Sequence, residues 1–344
     1  MKLHAFVHRH WLRRDWLACL LYPLSLLTAL AVAGKRQAYR HGWRFSWRAP
    51  VPVIIVGNLY VGGTGKTPVV IALVQALQAQ GYHPGVISRG YGVEPGALPR
   101  TGRGALAPAD FGDEPALISQ KTHAPVSVHP LRVLAARTLL QAFPDTDIIV
   151  SDDGLQHLAL QRDLEIVVQD ERGSGNGWLL PAGPLREPAS RLAQVDVVID
   201  NLPPGQQPAH SRHAGSAPHR IVMHLQPGDF IHVQGAARRT LADLATQSAS
   251  ARVAAVAGIG QPSRFFDTLS RHDIRLAQTV ALPDHYPYSE SPFLDIDADL
   301  ILITAKDAVK CRHIEDPRLW YLDVDARFSD PAFPQDLLQK IVIH

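Results

Sequence analysis

Cysteine is scarce: Cys19 and Cys311 are the only two in 344 residues. Two are too few for a disulfide framework and lack the C-x-x-C spacing of a zinc site, so a reducing compartment is the expectation. Charge is thin as well, at 19% of residues against a typical ~25%, while 46% are hydrophobic, which excludes disorder and coiled coil. No internal repeat and no G-x-S-x-G nucleophile elbow occurs. Beyond residue 48 there is no basic stripe interleaved with aromatics, so nucleic acid is not an expected partner. His210, His213 and His219 have no acidic or Cys companions at ligand spacing, and no structural metal is expected there.

What remains is a globular chain of about two domains at roughly 150 residues each. Strand-like and helix-like stretches alternate. Apolar, β-rich runs at 51–56, 85–88, 125–129, 147–151, 164–169 and 195–200 are separated by helical patterns at 67–80, 114–122 and 131–143. This alternation predicts an α/β fold with a mostly parallel sheet and helices on both faces. A polar, Pro-rich passage at 201–219 reads as a linker or long surface loop. Strands at 221–225, 251–257 and 300–304 and helices at 262–272 and 334–343 follow, a second and smaller α/β unit.

Gly62, Gly63, Thr64, Gly65, Lys66 and Thr67 stand between the first strand and the first helix of this pattern. Small residues there let successive backbone N–H groups turn toward phosphate oxygens, and the helix N-terminus adds its positive dipole end. Lys66 would reach the β/γ-phosphates and the Thr67 hydroxyl would ligate Mg²⁺, the roles of a P-loop that binds ATP. The loop is irregular, because a P-loop wants Gly where this chain has Tyr60. Residues 148–150 form an apolar run that ends, after Ser151, in Asp152 and Asp153, a Walker B-like second anchor for Mg²⁺.

Charge is also uneven along the chain. Residues 1–48 carry nine Lys and Arg against Asp15, a net +8, which leaves −6 for the remainder of a chain of net +2. Four of the six tryptophans, Trp11, Trp16, Trp43 and Trp47, lie in this arm, and Trp settles at the headgroup level of a bilayer. Residues 16–34 run 19 positions without a charge, a helix of ~28 Å against ~30 Å of hydrocarbon. A cleaved signal peptide would explain the basic start and Ala31-Val32-Ala33, but a nucleotide site follows directly and ATP chemistry belongs to the cytoplasm. A spanning helix should carry its Lys and Arg on one flank, whereas both flanks are basic and Pro23, Ser25 and Thr28 interrupt the run. A helix lying in or dipping into the cytoplasmic leaflet satisfies both flanks with anionic headgroups and is the expected arrangement. A helix docked on the protein's own core is the remaining alternative.

A set of motifs then narrows the reading. Val56-Gly57-Asn58, GGTGKTP at 62–68, Ser88-Arg89-Gly90-Tyr91-Gly92, Gly112-Asp113-Glu114-Pro115, DDGLQH at 152–157 and LPAGPLREP at 180–188 occur in order. Gly258-Ile259-Gly260-x-Pro262, Pro283-Asp284-His285-x-x-Tyr288 and Thr304-x-Lys306-Asp307 follow. Together they resemble the tetraacyldisaccharide 4'-kinase (lipid A 4'-kinase) family, from the N-terminal arm to about residue 310. The resemblance implies transfer of the ATP γ-phosphate to the 4'-hydroxyl of an acylated glucosamine disaccharide 1-phosphate at the cytoplasmic face of the inner membrane. It also implies a P-loop core, here residues 49–205, behind the membrane-associated arm 1–48. Residues 206–344 would form a second α/β domain that closes over the site, with a C-terminal segment free to rejoin the core.

By carry-over, Asp113 is the general base and His285 its partner. Asp152 and Asp153 are assigned to Mg²⁺, and Arg186 and Glu187 to the neighbourhood of the phosphates and metal, Arg186 stabilising charge on the transferred group. Ser88, Arg89 and Tyr91 would line the acceptor-sugar cleft. The acylated disaccharide and inner-membrane lipids are the expected partners; the oligomeric state is left open, with a monomer as the expectation. The GGTGKT loop also resembles membrane-docked partition and septum-positioning ATPase switches. Those usually carry Lys shortly before the two glycines, where this chain has Val61, and they give no reason for the 285 and 186 motifs.

Overall fold

A computed structural model describes residues 10–94, 96–207 and 218–341; His210 and His213 lie outside them, as do the first residues of the arm. The chain enters through a long helix, α1 (Trp16–Arg40). The alternating series is β1 (Val53–Gly57), α2 (Lys66–Ala79), β2 (Pro84–Ser88), β3 (Arg100–Gly102), α3 (Pro108–Phe111), α4 (Asp113–Thr122), β4 (Val126–Val128), α5 (Arg132–Ala142), β5 (Ile148–Asp152), β6 (Leu164–Asp170) and β7 (Val197–Asn201). It continues with β8 (His219–His232), β9 (Arg238–Arg239), α6 (Leu241–Gln247), β10 (Val253–Ala257), α7 (Pro262–Arg271), β11 (Gln278–Ala281), β12 (Leu300–Thr304), α8 (Ala305–Cys311), β13 (Leu319–Phe328) and α9 (Phe333–Ile341).

These strands form one sheet in the order β11-β10-β12-β13-β8-β7-β6-β1-β5-β2-β4-β3, with β9 beside β8. β4, β2, β5, β1, β6 and β7 are mutually parallel. β11, β10, β12 and β13 form a second parallel run. The long antiparallel pair β8 and β13, whose register shifts between Leu322 and Val324, joins the two. The 201–219 passage is therefore not a linker between separate sheets. It is the connection between β7 and β8, which pair in parallel from Val197↔His219 onward.

Both faces of the first run are covered, as its near-continuous apolar strands require. Ile54 and Val56 pack with Val69, Leu73 and Leu77 of α2 and Ile118 of α4, while Val53 and Ile55 pack with Ala135 and Leu139 of α5. The α2 residues recur every three or four positions, so one helix stripe is apolar, and each buried side chain of this size contributes about 1.5–3 kcal/mol. Phe333 and Leu337 of α9 join the α2 cluster, so the chain ends against the core where it began. In the second run, Ala255 packs with Leu244, Phe265 and Leu269, and Ala254 and Val256 with Ala308 and Cys311 on the other face.

α1 touches this body near its middle through Ser25 and Tyr22 and near its end through Lys35 and Arg36, which bond Gln156, Glu187 and Gln194. Asp15 caps it through the Ala18 N–H. The Ser25 hydroxyl donates to the Leu179 carbonyl at 2.7 Å and accepts from the Ala182 N–H at 2.9 Å, and Tyr22 lies 4.4 Å, centroid to centroid, from Trp178. Most of the helix faces outward, with Trp16, Leu20, Leu27 and Leu30 at 71, 67, 62 and 69% exposure. It is the only described helix long and apolar enough to cross a membrane. Ser25→Val would leave the Ala182 N–H buried without its partner, while the Leu179 carbonyl would keep only the Gly183 N–H. It is expected to cost about 1–3 kcal/mol in thermal or denaturant unfolding; wild-type stability would mean that these two bonds contribute nothing.

Candidate active site

The site is assembled at strand ends. β1 leads into the loop before α2, whose cap Gly65 has φ +90°; a Cβ there would stand 2.3 Å from Asn201 Nδ2. Asn201, the last residue of β7, donates that amide to the Thr64 carbonyl at 3.0 Å. Asn58 donates to the Gly62 carbonyl at 2.9 Å. Arg172 donates to the Gly63 carbonyl at 2.6 Å while bidentate to Asp170, and its guanidinium stacks 4.3 Å from the Tyr60 ring centroid. Loop carbonyls thus point at side chains, which leaves the amides as the groups available to a phosphate. The irregular Tyr60 is buried and serves as the platform for Arg172.

The β5 end supplies two acids with opposite fates. Asp153 lies 3.4 Å from Lys66 Nζ and 3.1 Å from an Arg186 NH group. Burial pushes its pKa upward, but these two cations outweigh burial and hold it well below the carboxylate range. Asp152 is pushed up to about 7 by burial and by the nearby Glu114 and Asp153 charges. Its Oδ2 accepts from Ser88 at 3.3 Å, and its Oδ1 is buried with no partner among the described residues. Beneath both, buried Arg132 donates to the Asp152 and Asp153 carbonyls at 3.4 and 3.3 Å.

Across the cleft stands a second constellation. Asp113 opens α4, directly after Gly112 at φ +89°. Its Oδ2 lies 3.0 Å from His285 Nδ1 and 3.0 Å from Lys310 Nζ. Burial raises the carboxyl pKa, yet the His285 hydrogen bond and the Lys310 charge prevail and hold it below its ordinary value. Lys306 donates to Glu114 at 3.0 Å and lies 3.4 Å from His285 Nε2. Burial likewise raises Glu114, and Lys306 and Lys66 bring it down. Because Lys66 and Asp152 both feel Glu114, the two constellations share one electrostatic field.

The structure therefore brings Lys66, Asp152, Asp153 and Arg186 together, and Asp113 with His285. Tyr91 joins the second group, its ring centroid 4.8 Å from that of His285, while Arg89 is exposed and its charge is felt by Arg132 and His157. Two expected residues sit elsewhere. Ser88 is buried at the end of β2, bonded to Asp152 rather than lining a sugar cleft. Glu187 accepts from Gln156 at 2.9 Å and Arg36 at 3.4 Å and lies 3.6 Å from Arg191. Both of its oxygens are taken, one by α1, so it ties the arm to this region instead of facing a metal. Lys310, Glu114, Arg132, Arg172 and Asn201 were not expected from sequence. Lys310 alone had a usable signal, lying one helical turn beyond Lys306 in the T-x-K-D segment.

Residues 17–342 match the family described as Tetraacyldisaccharide-1-P 4'-kinase. The chain belongs to that family. It is 59% identical over 331 residues to the tetraacyldisaccharide 4'-kinase of Bordetella parapertussis, covering 96% of this chain and 94% of that one. It is 44% identical to the tetraacyldisaccharide 4'-kinase of Herminiimonas arsenicoxydans, covering 99% and 97%. The crystal structure of "apo" form LpxK from Aquifex aeolicus in complex with ATP superposes with a TM-score of 0.79 at 24% identity, covering 94% of this chain and 99% of that one.

Burial of Asp152 beside two other acids is a cost to the fold. Its pKa is raised in the folded state, so its contribution to stability is present at low pH and lost as pH rises through about 7. Asp152→Asn, without nucleotide or metal, is expected to raise the melting temperature at pH 8 and to leave it nearly unchanged at pH 5; equal effects at both pH values would contradict the charge assignment.

Proposed function

We propose that this chain is an ATP-dependent lipid kinase that transfers the γ-phosphate to the 4'-hydroxyl of a tetraacylated glucosamine disaccharide 1-phosphate. The observation that carries it is the pairing of Asp113 with His285 at the start of the helix whose Glu114 shares the field of Lys66 and Asp152.

In this reading the amides of residues 62–67 bind the phosphates, and Lys66 neutralises charge toward the γ-phosphate. The acceptor hydroxyl is oriented by Asp113. As the new O–P bond forms and the bond from γ-phosphorus to the bridging oxygen breaks, its proton passes to the Asp113 carboxylate and ADP leaves. His285 holds that carboxylate from the other side, and Arg186, already drawn in by Asp153, meets charge on the transferred group.

The residues at the loop also fit Mg²⁺. No group of three or more His, Cys, Asp or Glu among the described residues forms a metal cage. Mg²⁺ characteristically takes only one or two carboxylates, with phosphate oxygens and water filling the rest. Asp152, with an unpartnered buried oxygen, and Thr67 would hold it, with Asp153 beside them. The metal would supply charge neutralisation between the β- and γ-phosphates.

The substrate's acyl chains call for an enzyme at a membrane. The outward apolar face of α1, flanked by Arg13 and Arg14 on one side and Lys35, Arg36 and Arg40 on the other, supports a helix lying in the cytoplasmic leaflet of the inner membrane. Tyr91, whose ring lies beside His285, and the exposed Arg89 would meet the acceptor disaccharide. The 206–344 segment, through His285, Lys306 and Lys310, acts as the closing unit.

With γ-labelled ATP and the purified disaccharide 1-phosphate, label is expected on the sugar. Asp113→Asn should lower kcat by roughly 10²- to 10⁴-fold with KM for ATP little changed; a rate near wild type would discard the assignment. Deleting residues 1–33 should shift the protein from sedimenting vesicles of anionic lipid to the supernatant, and unchanged partitioning would refute the anchor.

A further inference from the structure

Two groups converge on one oxygen of Asp113. His285 Nδ1 and Lys310 Nζ each lie 3.0 Å from Oδ2, and among the described residues no side chain donates to Oδ1. The first contact is part of the base as proposed above. The second comes from α8, which packs against α4, and nothing in the reaction has so far used it.

Lys310 is not a surface lysine that happens to reach an acid. Its side chain is 5% exposed and that of Asp113 11%. The ammonium lies 5.1 Å from the Tyr288 ring centroid and 3.6 Å from Asp307 Oδ1. Asp307 is itself fixed, accepting from the Thr304 hydroxyl at 2.7 Å and from the Gly258 N–H at 3.1 Å. A lysine confined by a ring and two acids has given up the rotamer freedom that makes exposed ion pairs weak. Removing one member of a pair buried like this leaves a charge that the surroundings cannot solvate.

We infer that Lys310 is a positioning residue for the base: by pairing with Oδ2 it keeps Asp113 ionised and fixes the carboxylate so that Oδ1 is the atom left for the acceptor hydroxyl. This rests on Asp113 being the base. The groups that face Asp113 are Glu114 on its own helix, Lys306, Asp307 and Lys310 on α8, and Asp284 and His285 on the loop after β11, with the Tyr91 and Tyr288 rings beside them. Lys306 has Glu114 and Asp284 to neutralise at 3.0 and 3.5 Å. Lys310 is thus the cation committed to Asp113, shared only with Asp307. A burial that by itself would protonate the carboxyl is overcome by His285 and Lys310, so loss of Lys310 raises the pKa of the base and shifts the acid side of the rate profile to higher pH.

The test is kcat/KM against pH for the full-length enzyme, with labelled ATP and the disaccharide 1-phosphate, in wild type, Lys310→Met, Lys310→Arg and Asp113→Asn. Lys310→Met should move the acid midpoint up by roughly 1–2 pH units, a loss of about 10- to 100-fold below that midpoint relative to its own plateau. Lys310→Arg should keep the wild-type midpoint. A Lys310→Met profile merely scaled down, with its midpoint unmoved, would overturn the inference and leave Lys310 a packing residue. Should that variant not fold, Asp307→Asn removes the competing anion and should move the midpoint down; an unmoved midpoint there would overturn it equally. Asp113→Asn separates the two levels. Wild-type turnover in that variant sinks the base assignment, whereas its inactivity beside an unmoved Lys310→Met midpoint sinks only the role of Lys310.

Discussion

A carboxylate taken out of water keeps its charge only where hydrogen-bond donors and cations meet it, and the groups that meet Asp113 lie about half the chain away. His285 is 172 residues downstream, and Lys310 follows it on α8. The active arrangement therefore exists only while the strand ends of two parallel runs face one cleft. The β8 and β13 pair makes that possible, and further ion pairs hold it. Lys306 binds Glu114, Lys121 of α4 binds Asp323 of β13, and Arg264 of α7 binds Glu171 just past β6. Each joins an element of the first run to one of the second or of the bridge between them.

The phosphate loop illustrates how a departure from a motif is absorbed. Where a regular loop has Gly, Tyr60 is buried and pairs backbone to backbone with Leu185. Its ring supports Arg172, which in turn restrains the Gly63 carbonyl. The next residue after Leu185 is Arg186, whose N–H donates to the Leu59 carbonyl at 2.8 Å. The loop and the cation that faces Asp153 are thus fixed by the same few bonds, and Tyr60 costs the loop nothing that Gly65 and Asn201 do not restore.

How much of this was legible beforehand depended on range. The strands of the first run could be read because they are buried on both faces and so are apolar without a break, and the phosphate loop because its chemistry is local. The paired Asp152 and Asp153 could be read as acids, but not their divergence, which depends on Lys66, Arg186 and Glu114 arriving from three other segments. β13 escaped notice because its residues, LWYLDVDARF, mix charges into a strand that leaves the core at its end. Glu187 was misplaced for a similar reason. Its sequence neighbour Arg186 does reach Asp153, but the chain bends at both residues and Glu187 meets Arg36 and Arg191 instead. Lys310 stands one helical turn beyond Lys306 in the sequence, but its partner Asp113 is supplied entirely by tertiary contact.

The central claim is that Asp113 and His285 act as one unit. A double-mutant cycle on kcat with Asp113→Asn, His285→Gln and the pair tests it most directly, since groups that work as a unit are grossly non-additive. The account predicts that the double variant is scarcely slower than Asp113→Asn alone. Losses that multiply, each substitution exerting its full effect in the presence of the other, would contradict it.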